Sequence, residues 1–285
     1  MSLEAIEDSH PHPKRSKRRR RNRGRRSRSG TFGHVLPSLL TTGNLAAGFF
    51  AIVKASTGEP LLASYAVLVA AVFDVLDGRA ARLLGNESRF GAEYDSIADT
   101  VSFGVAPAMI AFHAGGMIDL RWAGWVLAFA YTACASLRLA RFNVTSGRYR
   151  GRFDGLPAPA AAGMVVSTVW FHGFMQSNGM ALSVPALLPA LGLSLLGLLM
   201  VSPIPYHNFK EVDVRGSYGS IVIVVILSIL LLIEPGLNFF LIGLVYCASG
   251  PVAWWWRRRT GRPLEPLSDA SQTTRSEEES GATAG

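Results

Sequence analysis

Four aspartates lie inside apolar stretches of this chain, at spacings that would let them bind a common ligand. Asp74 and Asp77 are three positions apart, and Asp95 and Asp99 are four apart, so on helices each pair shares one face. An ionisable side chain at membrane depth costs about 2.5–3.5 kcal/mol on insertion scales, so four together require a compensating cation. Carboxylate oxygens are the ligands that Mg²⁺ and Mn²⁺ prefer. The cluster therefore predicts a site for one or two divalent metal ions.

Long apolar segments are the elements that must position these carboxylates. The chain has 285 residues, of which 49% are hydrophobic and 17% charged, and its apolar runs lie between about 34 and 256. Many approach the ~20 residues that a helix needs to cross a bilayer. We therefore predict an all-α, polytopic membrane helix bundle of about eight transmembrane helices. Their expected bounds are 35–54, 61–83, 93–114, 121–141, 156–175, 181–201, 217–234 and 237–256.

The basic residues predict how this bundle is oriented. If the N-terminus is cytoplasmic and the spans alternate, all of the 28 Lys and Arg residues except Lys54 and Arg121 fall on the cytoplasmic side. Such a bias is the positive-inside pattern of membrane proteins. We therefore expect a multi-pass protein of the cell membrane with both termini in the cytoplasm. The turn between the second and third spans, and the aspartates beside it, would then face the cytoplasm.

Both ends of the chain are polar. Residues 1–33 and 257–285 are predicted to be disordered cytoplasmic tails that flank the membrane domain of residues 34–256. Eleven Lys and Arg residues lie between Lys14 and Arg28, and they account for the net charge of +8. So close to a membrane span, such a block is expected to meet anionic membrane lipids, and no nucleic acid is expected as a partner.

Two other interpretations of the aspartates stay open on residue types alone. Salt bridges to Arg79, Arg82 or Arg89 could neutralise some of the acids, although a stabilising role would not need four of them. Intramembrane acids also serve as relays in cation and proton transporters. The residues around the aspartates therefore have to decide between a structural, a transport and an enzymatic role.

These neighbouring residues carry a resemblance to a known family. The pattern, with eight residues between its halves, reads Asp74-x-x-Asp77-Gly78-x-x-Ala81-Arg82 and Gly91-x-x-x-Asp95-x-x-x-Asp99. It is similar to the complete signature of the CDP-alcohol phosphatidyltransferase family. The resemblance implies a helical membrane bundle with a dimetal site open to the cytoplasm. It also implies an enzyme that joins an alcohol to the phosphatidyl group of a CDP-activated lipid and releases CMP.

The resemblance further implies roles for individual residues. Asp74, Asp77, Asp95 and Asp99 would bind two Mg²⁺ or Mn²⁺ ions, and Asp99 would also act as the general base toward the incoming hydroxyl. A homodimer is a further implication. The residues implied to contact CDP-diacylglycerol are Thr41, Asn44, Gly78, Arg82 and Ser88.

Stretches outside the signature bear on the acceptor alcohol. Residues 37–44, 95–107, 138–143 and 153–161 resemble the branch of the family that uses L-serine, although Ser38 stands where that branch has Asn. The expected reaction is therefore transfer of the phosphatidyl group from CDP-diacylglycerol to L-serine. Transfer to inositol phosphate or glycerol phosphate is the alternative within the family.

Three polar residues near the end of the fourth predicted span are the candidates for binding serine. Arg138 and Arg141 are three positions apart, and an arginine can bind either the carboxylate of serine or the phosphate of a phosphorylated alcohol. Asn143 is a candidate for contact with an amino group or a hydroxyl. The residue types thus agree with the expected acceptor but leave the phosphorylated alcohols open.

Overall fold

The computed structural model describes residues 32–84, 88–145, 153–180, 183–206 and 234–260. Nearly all of these residues are helical, as the apolar runs predict. Almost all of the predicted seventh span, 217–234, lies outside the described residues, as do residues 1–31 and 261–285 of the predicted tails. The disorder expected of the tails therefore stays a prediction.

Eight α-helices follow one another along the described chain. They are α1 Phe32–Ser56, α2 Pro60–Leu84, α3 Arg89–Asp99, α4 Ala106–Ala114, α5 Trp122–Thr145, α6 Ala158–Ser177, α7 Leu187–Val201 and α8 Pro235–Thr260. A π-helical segment, Thr100–Val105, joins α3 to α4, and a 3-10 turn, Met117–Leu120, precedes α5. Two short antiparallel strands, β1 Phe153–Asp154 and β2 Pro205–Tyr206, pair with Phe153 opposite Tyr206.

Five stretches of the described chain are long and apolar enough to cross a membrane. They are Val35–Ser56, Pro60–Leu84, Arg89–Ala114, Trp122–Val144 and Pro235–Thr260. The predicted fifth and sixth spans coincide with α6 and with the shorter apolar helix α7. The all-helical, multi-pass character is therefore confirmed, whereas the number of eight spans and the orientation of the termini stay predictions.

The third span differs from the single helix expected at 93–114. It begins four residues earlier, at Arg89, and Ser88 caps it because the Ser88 hydroxyl accepts a hydrogen bond from the Gly91 amide at 2.9 Å. Directly after Asp99 the helix widens into the π-helical segment. Such segments are rare and occur frequently at functional sites, which makes the position after Asp99 informative.

Close packing holds α1 against this π-helical segment. A Cβ atom added to Gly48 would lie 2.8 Å from the Ser102 Cα, so the two backbones can approach only because residue 48 is glycine. The buried Ser102 hydroxyl donates a hydrogen bond to the Asn44 carbonyl at 3.0 Å. These contacts fix the level at which α1 crosses the third span, and they bring Asn44 beside Asp99.

Candidate functional site

Three of the four aspartates converge in the structure. One carboxylate oxygen from each of Asp74, Asp95 and Asp99 lies within 4.8 Å of the others. Asp74 comes from α2, whereas Asp95 and Asp99 project from the same face of α3, as their spacing predicts. The buried Oδ1 atom of Asp95 has no hydrogen-bond partner in the described part of the chain. Carboxylates gathered in this way offer the all-oxygen ligand set that divalent cations take.

Asp77 lies one helical turn after Asp74 and outside the trio. Its side chain is 5% exposed, and its Oδ2 accepts a hydrogen bond from the Thr41 hydroxyl at 2.9 Å. The same hydroxyl also lies 3.0 Å from the Pro37 carbonyl. Thr41 of α1 therefore fixes the rotamer of Asp77 across the helix interface.

Asp99 also has a hydrogen-bond partner on α1, the helix that carries Thr41. Its Oδ1 accepts a hydrogen bond from the Asn44 side-chain amide at 3.0 Å, and Asn44 is fully buried. The side-chain oxygen of Asn44, Oδ1, has no hydrogen-bond partner among the described residues. One oxygen of the Asp99 carboxylate is thus held in place by α1.

An open cavity of about 180 Å³ lies beside these carboxylates, between α1, α2 and the start of α3. Its polar lining comes from the two hydrogen-bonded helices and from the cap of α3. The lining residues are Pro37, Ser38, Thr41, Asp77, Gly78, Ala81, Ser88, Gly91, Ala92 and Asp95. The cavity is therefore lined largely by residues of the signature and of the first span.

Gly78 forms part of one wall of this cavity, and Arg82 lies next to it. A Cβ atom added to Gly78 would lie 3.6 Å from Nη1 of Arg82, so the guanidinium of Arg82 folds back over Gly78. The Ser88 hydroxyl uses its oxygen to accept from Gly91, and its proton stays available as a donor. Gly78 and Ser88 therefore line the same cavity, and Arg82 lies against Gly78.

The three candidates for serine binding have different surroundings. Arg138 is only 8% exposed, its Nε has no hydrogen-bond partner among the described residues, and its guanidinium interacts electrostatically with Asp99. Arg141 is exposed and donates to the Val201 carbonyl at 3.2 Å, at the end of α7. Asn143 donates to the Ser96 hydroxyl at 2.9 Å. Among the three, Arg138 is the buried cation.

Several residues near the site were not found from the sequence. Tyr94 shares a hydrogen bond of 3.0 Å with Thr42, Ser96 receives Asn143, and Ser102 supports Asn44 through its backbone carbonyl. All three lie in or next to α3, within a few residues of an aspartate. The recurrence of hydroxyl side chains between and after the aspartates was the available signal.

Comparison with known proteins agrees with this geometry. The model of the CDP-alcohol phosphatidyltransferase family matches residues 34–195. The CDP-diacylglycerol–serine O-phosphatidyltransferase of Helicobacter pylori is 35% identical over 229 residues, which cover 78% of this chain and 91% of that protein. The enzyme of the same name from Mycobacterium leprae is 34% identical over 235 residues, 80% of this chain and 77% of that protein.

An archaeal relative carries a related name. The archaetidylserine synthase of Methanothermobacter thermautotrophicus is 35% identical over 173 residues, which cover 60% of this chain and 69% of that protein. The matched family region includes every aspartate of the cluster and the whole cavity. The chain is therefore an enzyme of the CDP-alcohol phosphatidyltransferase family.

Proposed function

We propose that this enzyme transfers the phosphatidyl group of CDP-diacylglycerol to L-serine and releases CMP, which makes it a phosphatidylserine synthase. The names of the bacterial relatives support serine as the acceptor. The observation that carries the proposal is the convergence of Asp74, Asp95 and Asp99 within 4.8 Å, with the buried Arg138 on α5, a helix that contacts α3 through Asn143 and Ser96. A transphosphatidylation site needs both features, because it must hold a pyrophosphate and an acceptor together.

The aspartates fit a pair of divalent cations. Their ligand set is all oxygen, and the buried Oδ1 of Asp95 has no hydrogen-bond donor among the residues that the structure describes. Asp74, Asp77, Asp95 and Asp99 would hold the ions, with Asp77 oriented by Thr41. Two Mg²⁺ or Mn²⁺ ions in such a site neutralise the carboxylates and polarise a bound pyrophosphate.

Asp99 is the residue that we assign as general base. Its free oxygen takes the proton of the serine hydroxyl while the serine oxygen forms a bond to the phosphorus of the phosphatidyl group. The bond between that phosphorus and the oxygen of CMP breaks in the same displacement. Because Asn44 holds Oδ1 at 3.0 Å, the other oxygen keeps one direction toward the acceptor.

The cavity is the proposed site of the nucleotide-lipid head group. Gly78 leaves one wall open, Arg82 supplies charge-assisted hydrogen bonds to a phosphate, and Ser88 offers a hydroxyl donor. Thr41 and Asn44, which the resemblance implies to contact the lipid, hold Asp77 and Asp99 in the structure. We therefore propose that these two residues support CDP-diacylglycerol binding through the carboxylates.

Arg138 is the proposed partner of the serine carboxylate. Its guanidinium is buried, and its Nε has no hydrogen-bond partner within the described part of the chain. Such a group favours an anionic ligand, because desolvated charges need hydrogen-bonded partners. Asn143 reaches Ser96, the neighbour of Asp95, and could orient the serine amino group from that side. Arg141 donates a hydrogen bond to the Val201 carbonyl, so its proposed role is to hold the end of α7 against α5.

The proposed setting is the cell membrane, with the site facing the cytoplasm. The distribution of Lys and Arg supports this orientation, and it gives soluble serine and membrane-bound CDP-diacylglycerol access to one site. A homodimer remains part of the proposal through the family resemblance alone.

An acceptor panel tests the proposed function. Purified protein in mixed micelles receives CDP-diacylglycerol, Mn²⁺ or Mg²⁺ and one acceptor at a time: L-serine, glycerol phosphate or inositol phosphate. We expect CMP release with serine alone and its loss on chelation of the metal. CMP release only with a phosphorylated alcohol would overturn the assignment of L-serine as the acceptor. Cation or proton flux in liposomes, without CMP release from any acceptor, would favour a transporter.

A further inference from the structure

A proline interrupts the hydrogen bonding of the last described helix. Pro251 lies within α8 and has no amide N–H, so the carbonyl of Cys247, four residues earlier, receives no bond from it. The Tyr206 hydroxyl donates a hydrogen bond to that carbonyl at 3.0 Å. Tyr206 belongs to β2 and is 4% exposed, so the bond is buried and joins two distant parts of the chain.

The surroundings of Tyr206 are shaped for this contact. A Cβ atom added to Gly250 would overlap the Tyr206 ring, so glycine is needed where the ring lies against α8. Burial raises the pKa of Tyr206 above its usual value, and the hydroxyl therefore keeps its proton and remains a donor. The carbonyl that Pro251 leaves without an amide thus has a permanent replacement donor.

A related contact occurs at Pro107 in the described chain, where the carbonyl belongs to the π-helical segment that precedes α4. Pro107 in α4 cannot donate to the carbonyl of Phe103, and the hydroxyl of the buried Tyr131 donates to that carbonyl at 3.1 Å. In both places a tyrosine from another element completes a helix at its proline. The recurrence supports a specific role for the hydroxyl, beyond ring packing.

We propose that Tyr206 is a positioning residue whose hydroxyl replaces the amide that Pro251 lacks, and so locks α8 against the corner formed by β1 and β2. The lock acts on the acceptor site through one neighbour. The Tyr206 ring contacts the Tyr246 ring, with centroids 5.6 Å apart. Tyr246 lies near enough to Arg138 for the two residues to share electrostatic surroundings. By holding the Tyr246 ring, the lock is proposed to affect serine binding at Arg138, an effect that rests on the proposed function.

A rescue experiment tests the lock. Tyr206→Phe removes only the hydroxyl, and Pro251→Ala restores an amide that can donate to the Cys247 carbonyl. We expect Tyr206→Phe to lower the Tm of the detergent-solubilised protein by about 3 °C or more, because a buried acceptor loses its donor. The double variant should regain most of this loss. Tyr65→Phe, at an exposed tyrosine of α2, is the matched control and should leave Tm unchanged.

Kinetics on the same variants test the consequence for the acceptor. Tyr206→Phe should raise the KM for serine about threefold or more while the KM for CDP-diacylglycerol stays within about twofold, and Pro251→Ala should reverse the change. An unchanged Tm in Tyr206→Phe, or a double variant no more stable than Tyr206→Phe, would overturn the lock. A rescued Tm with no change in the KM for serine would overturn the positioning role. A rescued Tm in a protein that never releases CMP with serine would instead refute the proposed function and leave the lock standing.

Discussion

The two halves of the candidate site are built differently. The proposed donor side consists of the cavity between α1, α2 and α3 and of the aspartates on α2 and α3. The proposed acceptor side consists of Arg138, Arg141 and Asn143 on α5. On the donor side, Thr41 holds Asp77 and Asn44 holds Asp99 through direct hydrogen bonds. On the acceptor side, the buried Arg138 leaves its Nε without a partner in the described chain.

The donor side and the acceptor side therefore differ in what they require from their ligands. On the donor side, α1 orients Asp77 and Asp99, so a metal ion and the nucleotide lipid would meet these two carboxylates already in place. Nε of the buried Arg138 has no hydrogen-bond partner among the described residues, and an anionic acceptor could accept a hydrogen bond from it. Substitutions should therefore separate the two halves by which substrate they affect.

The largest expected effect is at Asp99. Asp99→Asn keeps the shape and the hydrogen bond from Asn44 but removes the base, so kcat should fall about 10³-fold, within the range for general base catalysis. CDP-diacylglycerol binding should persist. Asp119→Asn, at an exposed acid of the 3-10 turn, is the matched control. Turnover by Asp99→Asn at the wild-type rate would remove Asp99 from its role.

The next effect is at the residue that holds Asp99. Asn44→Ala should lower kcat/KM about 10–100-fold, the usual cost of losing a partner that orients a ligand. The loss should be accompanied by weaker Mn²⁺ binding, measured by calorimetry on the purified protein. Asn178→Ala, at an exposed residue after α6, controls for loss of an amide side chain. Unchanged activity and metal affinity in Asn44→Ala would show that Asp99 does not need this bond.

On the acceptor side, the expected change is in KM rather than in kcat. Arg138→Ala should raise the KM for serine about tenfold or more, since a hydrogen bond to a charged group contributes about 1.5–3 kcal/mol. Arg138→Lys should recover only part of this, because a lysine lacks the planar fork of donors. An equal rise in the KM values of both substrates would contradict a specific acceptor role.

The smallest effect is expected at Arg141. Its guanidinium is exposed and binds the Val201 carbonyl, so Arg141→Ala should alter the KM for serine by about threefold or less. A modest fall in Tm should accompany it. A rise in the KM for serine as large as that of Arg138→Ala would place both arginines on the serine carboxylate. It would contradict the expected difference between Arg138 and Arg141.

The sequence predicted the parts of the molecule that follow from local rules. Apolar runs predicted the helices, and the spacing of Asp95 and Asp99 predicted their common face on α3. The π-helical segment after Asp99 was not predicted, because its widened turn depends on packing against α1 at Gly48.

Contacts between distant residues were likewise beyond the reach of sequence patterns. Thr41 and Asn44 were assigned to the lipid, yet they hydrogen-bond carboxylates 36 and 55 positions away. The spacing of Arg138 and Arg141 suggests a common role, but their surroundings differ. Arg138 is buried, whereas Arg141 is exposed and donates a hydrogen bond to the Val201 carbonyl at the end of α7. Local spacing therefore identifies the ligands of a site, whereas the partners that orient them depend on how the helices cross.

Equilibrium binding of CDP-diacylglycerol to the Arg138→Ala protein tests the division between donor and acceptor sides most directly. The measurement uses Mn²⁺ and no serine, and it is paired with the KM for serine of the same preparation. We expect a Kd for the nucleotide lipid within about threefold of wild type, together with a KM for serine raised about tenfold or more. A Kd for CDP-diacylglycerol weakened as much as the KM for serine would contradict it.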